Sequence, residues 1–163
     1  MSGPYKFFLV LHIVAVIAGI GTTVLNGIYG AKAKAAGPNG GHIAKANFEV
    51  TTIAEKIIYL VPIFGIILVF LSDDAYQFDQ FWIYGSLILF VIALGIAHGV
   101  MIPSTKRMLD VGAKLGSGQG GPADGAEMEA LGKRLAMGGM TLNLLIVIIV
   151  VLMIWKPGGP GAT

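Results

Sequence analysis

Four long apolar runs alternate with short polar stretches along the chain, at residues 7–29, 50–71, 81–102 and 135–155. At ~1.5 Å rise per residue, each is long enough as a helix to cross a hydrocarbon core of ~30 Å. The expected fold is therefore all-α, an integral membrane four-helix bundle forming a single transmembrane domain over residues 1–163. The first run carries no Asp, Glu, Lys or Arg. Its polar and small residues, His12, Ala15, Gly19, Thr22 and Asn26, recur at steps of three and four. On a helix they share one stripe, and the remaining circumference is aliphatic. That stripe is expected to face another helix, because a His or Asn turned to lipid leaves polar groups unpaired. The run exceeds the apolar region of a signal peptide, so it reads as a retained span.

The polar connections differ in charge, and the difference orients the protein. Residues 31–49 carry Lys32, Lys34 and Lys45, and residues 103–134 carry Lys106, Arg107, Lys114, Lys133 and Arg134. The turn at 72–80 holds Asp73, Asp74 and Asp79 and no basic residue. By the positive-inside rule both longer connections are cytoplasmic, and both termini and the acidic turn lie outside. The connection at 103–134 includes a Gly-rich stretch, 112–126, expected as a flexible cytoplasmic loop before a short helical stretch.

Composition agrees with a membrane domain: 55% hydrophobic residues and 12% charged ones, with a mean hydropathy of +0.80. A net charge of +2 with no basic face gives no case for nucleic acid. The absence of cysteine removes disulfides, thiolate metal sites and cysteine nucleophiles. No HExxH or two-histidine-one-carboxylate pattern occurs, His42 sits in a polar connection without a neighbouring ligand, and no metal site is expected.

Packing marks and candidate sites follow from the polar residues that remain. Gly95 and Gly99 form a GxxxG pair with His98 on nearly the same face, and Gly19 is a second close-approach position. Pro62 removes a backbone donor and is expected to kink the second helix near Ile58. Asn26, Glu55, Thr141 and Asn143, with His98, fall in the cytoplasmic half as an inner polar layer. His12 lies in the opposite half, ~15 Å from His98 along the membrane normal, too far for one heme to sit between them. Trp82 and Tyr84, and Trp155 with a snorkelling Lys156, read as interfacial anchors.

KFFLVLHIVAVIAGIGTTVL near the start, FWIYGSLILFVIALGIAHGVMIPSTKRM in the third run and VVLMIWKPG at the end resemble a family of bacterial predicted integral membrane proteins of unknown function, in the CopD-like group. The resemblance implies a multi-pass protein of the bacterial inner (plasma) membrane. The K-x-x-x-x-L-H-I opening and the Lys156-Pro157 ending are similar, more distantly, to HemJ-type protoporphyrinogen oxidases. That similarity implies heme b, with His12 as axial ligand, and His98 is a weaker candidate for the same role.

The reading that best suits so few site residues is a non-catalytic membrane subunit or scaffold. Its partners would be the bilayer and other membrane subunits. The alternative is a heme b-binding redox protein of electron transport using His12. Copper handling or transport, suggested by the CopD-like grouping, and porphyrin oxidation rank below both. The orientation has a direct test, with no native cysteine to interfere. A cysteine at Ala75 is expected to react with a membrane-impermeant maleimide applied to intact cells, and one at Ser117 only after lysis.

Overall fold

The computed structural model describes residues 2–159, the Pro38 side chain apart, and all regular structure among them is helical. Six α-helices occur: α1 Gly3–Ala35, α2 Gly40–Ile58, α3 Leu60–Phe70, α4 Phe81–Ile96, α5 Ile102–Gly116 and α6 Pro122–Trp155. A 3₁₀ turn, Gly37–Asn39, joins α1 to α2, and a π-turn, Ala97–Met101, joins α4 to α5. Taken across these short breaks they make four helices long and apolar enough to span a membrane: Gly3–Ala35, Gly40–Phe70, Phe81–Gly116 and Pro122–Trp155. The all-α membrane fold expected from the apolar runs is the fold observed.

The helices reach well beyond the apolar runs. Residues expected in the first basic connection belong instead to the end of α1 and the start of α2, leaving only a tight turn around Gly37. Alanine and lysine dominate KAKAA and IAKAN, and both are strong helix formers, so the helix continues where hydropathy stops. Gly40 closes this turn so tightly that a Cβ there would overlap the Ala33 carbonyl. The Gly-rich loop expected over 112–126 likewise contracts to residues 117–121. Gly118, at φ 75°, ends α5 in the left-handed conformation. Gln119 N–H donates to Lys114 O, and Gly118 N–H to Leu115 O, each at 3.2 Å. These are the two bonds of a Schellman cap, and Pro122 then opens α6.

Two proline effects interrupt the spans. Pro62 has no N–H for the Ile58 carbonyl, and the second span breaks at Tyr59, where the sequence places the kink. Pro103 does the same to the Gly99 carbonyl, and the helix widens just before it: Ile102 N–H bonds Ala97 O, five residues back. The sequence reading did not anticipate this π-turn, although Pro103 was the available signal.

The chain packs as two compact units. The first combines Met1–Thr22, Ile53–Ile92 and Leu144–Thr163, so far as these are described. Within it α1 lies against the second span at Gly19, where a Cβ would sit 3.1 Å from Ile58 Cα and 3.2 Å from Ile58 N. Ala15 and Ala54 are buried in the same unit. The second unit combines Thr23–Thr52 and Ala93–Asn143. Its centre is the hairpin of α5 and α6, where methionines insert over glycines: Met101 on Gly138, Met108 on Gly132 and Met128 on Gly112. Val111, 2% exposed, packs within this unit. Beyond the apolar runs the hairpin is clasped by charge. Arg107 donates from Nε to Glu127 Oε1 at 2.6 Å and from a terminal nitrogen to Oε2 at 2.9 Å. Lys114 Nζ bonds both oxygens of Asp124 at 2.8 and 2.9 Å, and Asp124 also accepts from Gly121 N–H at 2.8 Å. The hydrogen bonds from Lys114 and Gly121 hold the Asp124 carboxyl below its ordinary pKa, and that from Arg107 does the same for Glu127.

Most of the remaining apolar surface faces outward, as lipid requires; Val10, Ile13, Ile17, Val91, Val147 and Ile154 are examples. The close contact at Gly19 generates a prediction. Gly19→Ala presses a methyl onto helix backbone that cannot swing aside, and is expected to lower stability by about 1–3 kcal/mol. Gly21→Ala, where a Cβ meets nothing within 4 Å, is expected to leave it unchanged. Thermal melting of the two variants in one detergent is the check.

Candidate functional site

His12 is the most distinctive polar group in the first unit. Its Nδ1 lies 2.9 Å from the Val61 carbonyl oxygen across the α1–α3 contact. A carbonyl can only accept, so the proton resides on Nδ1 and Nε2 keeps its lone pair. Gly65 makes room for the ring: a Cβ there would stand 3.3 Å from His12 Cε1. The small-residue stripe of α1 therefore faces the second span, with His12 at Val61 and Gly65 and Gly19 at Ile58. In the second unit Asn26, the last member of the stripe, again meets the same helix, its Oδ1 accepting from Thr51 Oγ1 at 3.1 Å.

A nitrogen lone pair fixed by a backbone bond on the other side of the ring is the usual arrangement of a metal-ligating imidazole. The donor chemistry of His12 thus suits one axial position of a heme. Space for the macrocycle is a separate matter, and neither of the two principal clefts is lined by His12. Among the described residues no group of three His, Cys, Asp or Glu side chains could hold a metal ion.

The residues read as an inner polar layer take separate partners. Glu55 lies in the first unit and accepts from Tyr59 Oη at 3.4 Å. The other members lie in the second unit. His98, on the exposed side of the π-turn, bonds through Nδ1 to Leu94 O at 2.9 Å. Thr141 Oγ1 returns to Met137 O at 3.0 Å. Asn143 carries a buried Oδ1 that no hydrogen-bond donor reaches among the described residues. The GxxxG pair is exposed, and a Cβ at Gly95 or Gly99 would meet nothing within 4 Å.

A second polar cluster, built on the acidic turn, was not legible in the sequence. Ser72, buried, donates to Val69 O at 2.7 Å and accepts from Tyr76 N–H at 3.0 Å, folding residues 72–76 into a loop in which Asp73 and Asp74 take φ of 52° and 59°. Tyr76 then stands edge-on to Trp82, ring centroids 5.1 Å apart, and Trp82 Nε1 donates to Gln80 Oε1 at 3.0 Å. The chain turns back after α6 at Lys156, φ 45°. Lys156 Nζ reaches Tyr76 Oη at 2.7 Å and lies 4.5 Å from the Tyr76 ring centroid and 5.5 Å from that of Trp82. Two expectations are corrected here. Lys156 does not snorkel outward, because the positive φ folds it onto electron-rich ring faces that attract a cation. Trp82 is not an exposed interfacial anchor but is 6% exposed beneath this cluster. Trp155, by contrast, is exposed as an interfacial aromatic would be.

These residues lie within a stretch that a family model covers from end to end: residues 7–157 match the model described as predicted integral membrane protein (DUF2269). The chain belongs to this family. The match runs from the start of the first apolar run through the Lys156-Pro157 ending and establishes a multi-pass integral membrane protein in contact with the bilayer. No curated protein and no solved structure matches the chain.

The cation–aromatic cluster yields a test that does not depend on function. Lys156→Met keeps most of the aliphatic stem and removes both the hydrogen bond and the cation over the rings. It is expected to lower stability by about 1–2 kcal/mol, with Tyr76→Phe losing only the hydrogen-bonding share. Melting curves of the two variants against the parent protein read the difference.

Proposed function

We propose that this DUF2269 protein is a non-catalytic subunit or scaffold that packs against other helices in a larger membrane assembly. The observation that carries the reading is the idle GxxxG face. Gly95 and Gly99 are exposed, and their missing side chains make room for nothing among the described residues. In lipid there is no hydrophobic drive to join helices, so small residues that permit close backbone approach are a principal means of association. Elsewhere the chain uses that means itself: Gly19 admits the backbone of Ile58, and Gly138 admits Met101. The polar residues support the same reading, since His12, Asn26 and Thr141 are each engaged in bonds within or between helices.

A second reading, a heme b-binding redox protein with His12 as axial ligand, is favoured by one observation: the bond to Val61 leaves His12 Nε2 with its lone pair. In that case the group would supply one-electron chemistry, and the remaining axial position would come from elsewhere.

One preparation distinguishes the two. Extraction in a mild detergent is expected to yield a colourless chain with partner chains in fixed ratio. Gly95→Leu/Gly99→Leu is expected to lose those partners without a change in melting temperature. A Soret band that belongs to this chain and disappears in His12→Ala would instead support the heme reading, and a monodisperse colourless monomer would overturn both.

A further inference from the structure

The second unit holds a cleft of about 550 Å³ that the preceding reading does not use. Ile96 and Val100 from the third span, with Gly138 and the exposed Met137 from α6, make its apolar floor, and Lys133 and Arg134 complete the lining. The sequence explains the combination. Arg134 is the last charged residue before the apolar run of α6, so a basic rim and an aliphatic floor lie within one turn of each other. The π-turn includes Val100, and Gly138 is where Met101 packs against α6 beside the cleft.

The charges on the rim are unequal. Lys133 Nζ is bonded to Glu129 Oε1 at 2.8 Å, one turn earlier on the same helix. Of the other cations of the hairpin, Arg107 and Lys114 are committed to Glu127 and Asp124, while Lys106, which does not line the cleft, makes no ion pair among the described residues. Arg134 makes no ion pair among the described residues and is exposed at the mouth of the cleft. A planar guanidinium offers a fork of donors that matches two phosphate oxygens, and an apolar floor beside it matches an acyl chain. Basic pockets between membrane helices bind anionic headgroups on this principle.

We infer that this cleft is a binding site for an anionic glycerophospholipid, with Arg134 on the phosphate, Lys133 supplying the second positive charge, and an acyl chain along Ile96, Val100 and Met137. Charge complementarity selects this occupant over a partner helix. A second apolar helix would fill the floor but leave Arg134 without a counter-ion at the edge of the hydrocarbon. Gly95 and Gly99 do not line the cleft, and the inference does not depend on the subunit reading.

The test is native mass spectrometry of the full chain released from nanodiscs of phosphatidylcholine mixed with phosphatidylglycerol, scoring which lipid stays bound. The parent protein is expected to retain phosphatidylglycerol in preference to phosphatidylcholine. One cation near an anionic headgroup is worth a factor of about five, so Arg134→Gln is expected to lower the preference about fivefold. Arg134→Lys is expected to keep most of it, and Lys45→Gln, at a lysine that does not line the cleft, all of it. Ile96→Trp, which fills the floor, is expected to lower retention of both lipids. Equal retention of the two lipids by the parent protein would overturn the inference. So would equal losses in Arg134→Gln and Lys45→Gln, which would mean diffuse attraction to the basic face rather than a site.

Discussion

Hydrocarbon offers no hydrogen bonds, and the arrangement of the first helix follows from that one constraint. A helix satisfies its own backbone, so the cost falls on side chains such as His12 and Asn26. Each is discharged against the second span, His12 at the Val61 carbonyl and Asn26 at Thr51. Gly19 lets the two backbones close until Ile58 stands where a side chain would be. Polar and small residues therefore share one stripe because they serve one contact. The small ones bring the helices together, and the polar ones can then find partners.

The second unit solves a different problem by different means. The ends of α5 and α6 extend past the apolar runs, where water competes for every charge, so Arg107–Glu127 and Lys114–Asp124 clasp an exposed hairpin without being deeply buried. Closer to the apolar runs the same hairpin is joined by methionine over glycine. A flexible thioether suits the uneven floor a glycine leaves, and three such contacts, one from the π-turn and one from α5 onto α6 and one in return, repeat along the seam. Three of the seven methionines of this chain are thus accounted for by packing.

Much of the fold was legible from the sequence because hydropathy and helical periodicity report on one helix at a time. The four spans, the side of α1 that is buried and the break near Pro62 are all of that kind. Helix ends were less legible: KAKAA and the approach to Gly118 are helical by propensity and capping, which a hydropathy boundary does not sense. The Lys156 cluster was not legible at all. It joins residues 80 positions apart through a positive φ at a lysine, and no local pattern announces either. His12 falls between these cases, since its periodic position foretold a buried face, while the choice of Val61 as partner required the tertiary register.

The distribution of glycines bears on function more directly than any single polar residue. A glycine inside a membrane helix forgoes side-chain packing, and that cost is recovered only where another group takes the space. Ile58 does so at Gly19 and Met101 at Gly138, whereas nothing among the described residues does so at Gly95, Gly99 or Gly139. Unfilled positions occur on α1 as well, at Gly21 and Gly27, but those on the third span and α6 fall in the unit that also carries the exposed His98 and the π-turn. A helix meant only for lipid gains nothing from such positions, since leucine would serve it better. Their presence argues for a neighbour whose side chains complete what this chain leaves open.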